Sequence, residues 1–97
     1  MKKFDDLDPL LHSQLRLAVM SVLVTIKEAE FSFIKDTIDA TAGNLSASIT
    51  KLKEAGYVDV EKKFKDNYPL TICRITQKGL EAFERYVQNL KVYLEPK

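Results

Sequence analysis

Hydrophobic residues along the chain recur first at helical, then at strand-like and again at helical spacing, with capping and turn residues at the breaks. From Gln14 to Ile26 nearly every side is apolar (Leu15, Leu17, Ala18, Val19, Met20, Val22, Leu23, Val24 and Ile26), and Ser13 stands where an N-cap is needed. Such a helix must be covered from more than one direction. Ser32–Ile38 predicts a second, short helix, with Ser32 placed to cap it and Phe33, Ile34 and Ile38 as its apolar positions. Across Thr41–Ala55 the apolar Ala42, Leu45, Ile49 and Leu52 keep a helical period, and Gly56 follows as the stop.

Beyond Gly56, Tyr57–Glu61 alternates apolar with charged residues, Lys62–Pro69 interrupts the pattern with turn residues, and Leu70–Ile75 is strand-like again. This predicts a two-stranded hairpin with a basic tip. In Gln77–Leu94, Leu80, Phe83, Val87, Leu90 and Leu94 fall at alternating intervals of three and four, the spacing of a helix seam, with Thr76 as N-cap. The order helix, helix, helix, hairpin, helix defines an α+β chain that is mainly helical. A chain of 97 residues buries one hydrophobic core, so residues 1–97 are expected to form one domain.

Composition narrows the function classes. Apolar residues make up 45% and charged residues 30%, with signs mixed, which fits a globular chain. One cysteine and one histidine exclude an internal disulfide and a Cys/His metal cluster, and fit a reducing, cytoplasmic setting. Cys73 reads as a small core residue of the second strand, and His12 as a surface or helix-start residue. Asp5, Asp6 and Asp8 lack further ligand spacing, so no metal or other cofactor is assigned. The start Met-Lys-Lys turns acidic at once, and no apolar run is long enough for a signal peptide or a membrane span, so a soluble, unexported protein without a membrane partner is expected. No phosphate loop, GxSxG or HExxH is present, which argues against an enzyme. Net charge is only +1, yet residues 51–97 carry ten basic against seven acidic side chains, while residues 1–50 carry five against seven.

Three ordered stretches, LDPLLHSQLRLAVMSVL at 7–23, TAGNLSASITKLKEAGYVDVEKKF at 41–64 and PLTICRITQKG at 69–79, resemble the small stand-alone MarR- and ArsR-like winged helix-turn-helix transcriptional regulators. The resemblance covers nearly all of the chain. It implies three helices, a two-stranded β-hairpin wing and a long C-terminal helix. It also implies that the recognition helix, residues 42–55, enters the major groove of double-stranded DNA, that the wing at 62–70 grips backbone, and that the terminal helices, here 76–95, pair two chains. One departure stands out: relatives tend to carry arginines in the wing turn, whereas this one reads Lys65-Asp66-Asn67-Tyr68-Pro69-Leu70.

With Leu45, Ile49 and Leu52 turned to the core, Asn44, Ala47, Ser48 and Lys51 are expected on the outward face. Asn44 can pair bidentately with adenine, Ser46 and Ser48 can bond bases or phosphates with Thr50 at the margin, Ala47 permits close approach, and Lys51 reaches phosphate or guanine. The same residue types also suit a plain solvated face. Lys62, Lys63, Lys65 and Arg74 are candidates for phosphate contact, or alternatively a lysine-rich edge that blocks strand aggregation.

Phe83, Val87, Leu90, Tyr93 and Leu94 are the candidate dimer contacts. A helix of about eighteen residues is roughly 27 Å long, so its distal residues are expected to overhang their own domain. Leu80, Phe83 and Val87 can instead pack at home. Two functions remain open: a homodimeric regulator of transcription, and a winged-helix protein-interaction module with little or no DNA binding. Any small-molecule effector would need a pocket between helices or at a dimer interface, and the sequence specifies none.

Overall fold

The computed structural model describes residues 4–95. The Met-Lys-Lys start and the extreme ends of the expected 1–97 domain lie outside the described residues. Elements follow in the order α1 (Gln14–Ile26), β1 (Glu28–Glu30), α2 (Phe31–Thr37), α3 (Ala42–Glu54), β2 (Val58–Lys65), β3 (Tyr68–Ile75) and α4 (Gln77–Leu94). Four of the expected elements are helices, and three of them carry a side-chain N-cap. Ser13, Thr41 and Thr76 each accept a hydrogen bond from the backbone N–H three residues on, at 3.4, 3.1 and 2.9 Å.

Two expectations need correction. The sheet has three strands, in the order β1-β3-β2, because Glu28–Glu30 pairs antiparallel with Arg74–Ile72. Glu-Ala-Glu carries no strand signal of its own; hydrogen bonding to the exposed edge of β3 makes it a strand. The second helix starts at Phe31, so Ser32 lies inside it and Glu30 occupies the N-cap without a side-chain bond.

The α2–α3 turn ends α2 with Asp39 at φ 54, its N–H and that of Ala40 donating to the Asp36 and Lys35 carbonyls. Aspartate tolerates this left-handed geometry better than most residues. The end of α3 repeats the arrangement with Gly56 at φ 80, as Gly56 N–H donates to the Lys53 carbonyl and Tyr57 N–H to that of Leu52, both at 2.9 Å. The chain then reverses directly into β2.

The core draws on every layer: Leu11, Val19, Met20 and Leu23 from α1 and its approach, Ile34 from α2, Leu45, Ile49 and Leu52 from α3, Val58 and Cys73 from the sheet, and Ala82 and Tyr86 from α4. Each fully buried aliphatic side chain contributes roughly 1.5–3 kcal/mol. Gly79 locks α4 against the start of β2, since a Cβ there would overlap the Tyr57 carbonyl oxygen. Thr76 secures the same joint by donating its hydroxyl to the Gly56 carbonyl at 2.6 Å and its N–H to that of Tyr57 at 3.1 Å. On α4 the fully buried side is Gly79, Ala82 and Tyr86, with Phe83 and Leu90 packed partly on the core, so the expected seam is not the most buried stripe.

Candidate nucleic-acid interface

Helix α3 buries Leu45, Ser48, Ile49 and Leu52 and exposes Asn44, Ser46, Ala47, Thr50, Lys51 and Lys53. The expectation that Ser48 faces outward is therefore corrected: its exposure is 5%. Ser48 follows Leu45 by three residues and precedes Leu52 by four, and both spacings bring side chains to one helix face. At 3.6 residues per turn it lies only about 60° from Leu45. The exposed face is correspondingly rotated toward Ser46 and Thr50. Thr50 Oγ1 donates to the Ser46 carbonyl at 2.9 Å, which leaves its lone pairs directed outward as acceptors.

The wing is more regular than the sequence suggested. Pairing runs without interruption from Val58↔Ile75 to Lys65↔Tyr68, so Lys62–Pro69 is strand rather than loop, apart from Asp66 and Asn67. Those two residues, at φ 51 and 67, close a two-residue turn of the primed kind that matches strand twist. Register assigns side chains to faces. Val58, Val60, Lys62 and Phe64 share one face with Ile75, Cys73, Thr71 and Pro69, and Asp59, Glu61, Lys63 and Lys65 share the other with Arg74, Ile72, Leu70 and Tyr68.

Between α3 and the first of these faces runs an open cleft of about 380 Å³, lined by Phe31, Ser46, Ile49, Thr50, Lys53, Val60, Lys62 and Thr71. Its two lysines converge from different elements. Lys53 and Thr71 were missed in the sequence; Lys53 follows Ser46 by seven residues and so shares its helix face, whereas Thr71 depends on strand register. Among the described residues Lys51, Lys53, Lys62 and Lys65 form no ion pair, so their charge is available to an anionic partner. Lys63 lies 3.7 Å from Glu61, an exposed and weak pairing.

Arg74 is placed otherwise. Its guanidinium donates to Glu28 at 2.8 Å and to Glu61 at 3.1 Å, bridging β1 and β2 across β3. The Glu28 bond, then Glu61, raises the Arg74 pKa, and Arg74 in turn holds the Glu28 carboxyl below its ordinary value. Two carboxylates thus neutralise the cation that the sequence offered to phosphate, and they sit on the wing face turned away from the cleft.

At the far end of α4, Leu94 is 70% exposed and Val87 and Leu90 are half-buried. Tyr93 is engaged with its own chain: its hydroxyl donates to the Asp5 carbonyl at 2.7 Å and its ring packs on Phe4 at 5.0 Å. The hydroxyl of Tyr86 lies 2.9 Å from His12 Nδ1, tying α4 to the approach to α1. Cys73 is buried, and burial pushes its thiol pKa up, away from nucleophilic character.

A helix-turn-helix whose second helix shares an open, lysine-bearing cleft with a β-hairpin is the architecture of a winged helix, and the chain belongs to the winged helix DNA-binding domain family, whose sequence model matches residues 15–94. It is similar to an uncharacterized protein of Methanocaldococcus jannaschii, with 32% identity over 79 residues that cover 81% of this chain and 86% of that one. In structure it resembles a transcriptional regulator homologue of Pyrococcus horikoshii OT3, at a TM-score of 0.84 and 34% identity, covering 89% of this chain and 85% of that one. The fold is shared with MarR-family regulators, among them a mutant MarR of E. coli in complex with operator DNA, at a TM-score of 0.70 and 18% identity over 89% of this chain and 61% of that one. The family is one of winged helix DNA-binding domains, and the fold is shared with proteins described as transcriptional regulators. No helix among the described residues is long and apolar enough to cross a membrane.

Proposed function

We propose that this chain is a sequence-specific regulator of transcription that binds double-stranded DNA as a homodimer in the cytoplasm. The observation that carries this reading is the convergence on one cleft of an exposed, small-polar helix face and unpaired lysines from both helix and wing. Asn44, Ala47, Thr50 and Lys51 present donors, acceptors and a close-approach position to base edges in the major groove. Lys53 and Lys62 flank them from two elements, and Lys63 and Lys65 extend the basic surface along the wing to phosphate. The partly covered Val87 and Leu90 and the exposed Leu94 give α4 an apolar end for a second copy, with the half-burial of Phe83 and the internal bonds of Tyr93 reducing the share of those two. Dimerisation sets two copies of α3 about one helical turn apart, roughly 34 Å, on a pseudo-palindromic site.

Fluorescence anisotropy with DNA from upstream of its own gene, at several salt concentrations, tests the reading. Wild type is expected to show steep salt dependence, and Lys51→Glu and Lys63→Glu weaker binding with a shallower slope, about 0.9 per lost phosphate contact. Equal, weak, salt-insensitive binding by all three proteins would instead favour a protein-interaction module.

A further inference from the structure

The outer end of the wing carries a large apolar side chain that the fold does not use. Phe64 is 77% exposed and belongs to no core contact, and its cross-strand partner is Pro69. We propose that Phe64, backed by Pro69, is an apolar wedge that enters the minor groove of duplex DNA next to the major-groove site of α3 and unstacks a base step there. The proposal rests on the DNA-binding reading above and deepens it.

Register gives the direction. On the face that turns to α3, Lys62 and Thr71 line the cleft shared with Ser46, Thr50 and Lys53, and the next pair outward on that face is Phe64 with Pro69. The ring therefore stands on the same side as the helix face offered to DNA, one step further out. Phe64 lies two residues beyond Lys62, about 7 Å further along the strand, so the ring stands just outside the cleft that α3 lines.

The surroundings select the partner. Lys62 shares the ring's face and Lys63 and Lys65 flank it on the other face of the same strand, three cations against the carboxylates of Glu61 and Asp66. That charge repels a second copy of the same wing and attracts phosphate on either side of an inserted side chain. The two-residue turn at Asp66 and Asn67 keeps the strands paired to their tips, so the ring stands on a continuous ladder. Phenylalanine and proline are side chains that part base steps, and pyrimidine–purine steps such as TA yield most easily.

The test uses the full chain, its upstream duplex and a mixed-sequence duplex of equal length, with 2-aminopurine placed at TA steps in turn. Wild type and Phe64→Leu are expected to brighten the probe at one or more steps. Phe64→Ala is expected to abolish the brightening and to weaken binding about tenfold at every salt concentration, with an unchanged salt slope. Lys63→Ala should do the reverse, lowering the slope while brightening persists at saturation. Phe64→Ala binding as tightly as wild type, or brightening equally, would overturn the wedge while leaving DNA binding intact. Wild type binding neither duplex would overturn the DNA reading itself, and the wedge with it.

Discussion

Asn44 and Ser48 lie one helical turn apart on α3, and opposite behaviour is expected of them. Asn44 is exposed, so Asn44→Ala should leave Tm nearly unchanged while reducing affinity for the preferred DNA site about tenfold, the worth of one good base contact. Ser48 is packed between core positions, so Ser48→Leu should overpack the helix and destabilise by about 1–3 kcal/mol, read as a lower urea midpoint. The spacing that buries Ser48 was already in the sequence, as was the burial of Cys73 on an alternating strand. The fate of Arg74 was not, because Glu28 and Glu61 are remote in sequence and meet it only across the sheet. Tyr57 adds a pH response. Burial, followed by the 2.5 Å bond its hydroxyl donates to Asp8, pushes its pKa from 10.0 up to about 12. A proton held more tightly by the folded than by the unfolded chain stabilises the fold. That contribution is complete below about pH 10 and is lost as pH rises through about 12. Tyrosinate absorbance should show this one of four tyrosines titrating late, and Tyr57→Phe should remove the late step.

The elements differ in how far their own residues specify them. The Ser13 and Thr76 caps and the Gly56 stop made α1, α4 and the end of α3 legible, since each acts through backbone groups within three or four residues, and the structure adds Thr41 as the cap of α3. Strand β1 had no such signal, and neither did the early start of α2, because both depend on where β3 lies. The wing illustrates an intermediate case: a lysine-rich run looked like a loop, yet continuous pairing with β3 keeps it a strand through Lys65. The joint between β2 and α4 is sensitive to a single methyl group. Gly79→Ala must displace the Tyr57 backbone, and an expected loss of about 1–3 kcal/mol should appear as a lower denaturant midpoint with the same slope. Replacing Arg74 by Gln should loosen the sheet slightly but leave the salt slope of DNA binding untouched, in contrast to the wing lysines.

The chain is elongated, 58 × 25 × 21 Å, with a radius of gyration of 14.8 Å against about 13 Å for a compact domain of this size. An extended outline gives the distal part of α4 little cover from its own chain. Light scattering should therefore report a dimer for wild type and a smaller species for Leu90→Asp, whose carboxylate would have to be buried in the shared seam. A monomeric wild type would remove the paired-site geometry while leaving each winged helix free to bind DNA weakly.

Hydrophobic period, caps and stops were sufficient to determine four helices, the hairpin and their order, because each of those signals acts over a turn or two of chain. Tertiary packing decided the rest: the third strand, the neutralisation of Arg74, the rotation of the exposed face of α3 toward Ser46 and Thr50, and the cleft that unites Lys53 with Lys62. These depend on contacts between segments far apart in sequence, where register and burial, not local preference, determine which side chains remain free to meet a partner.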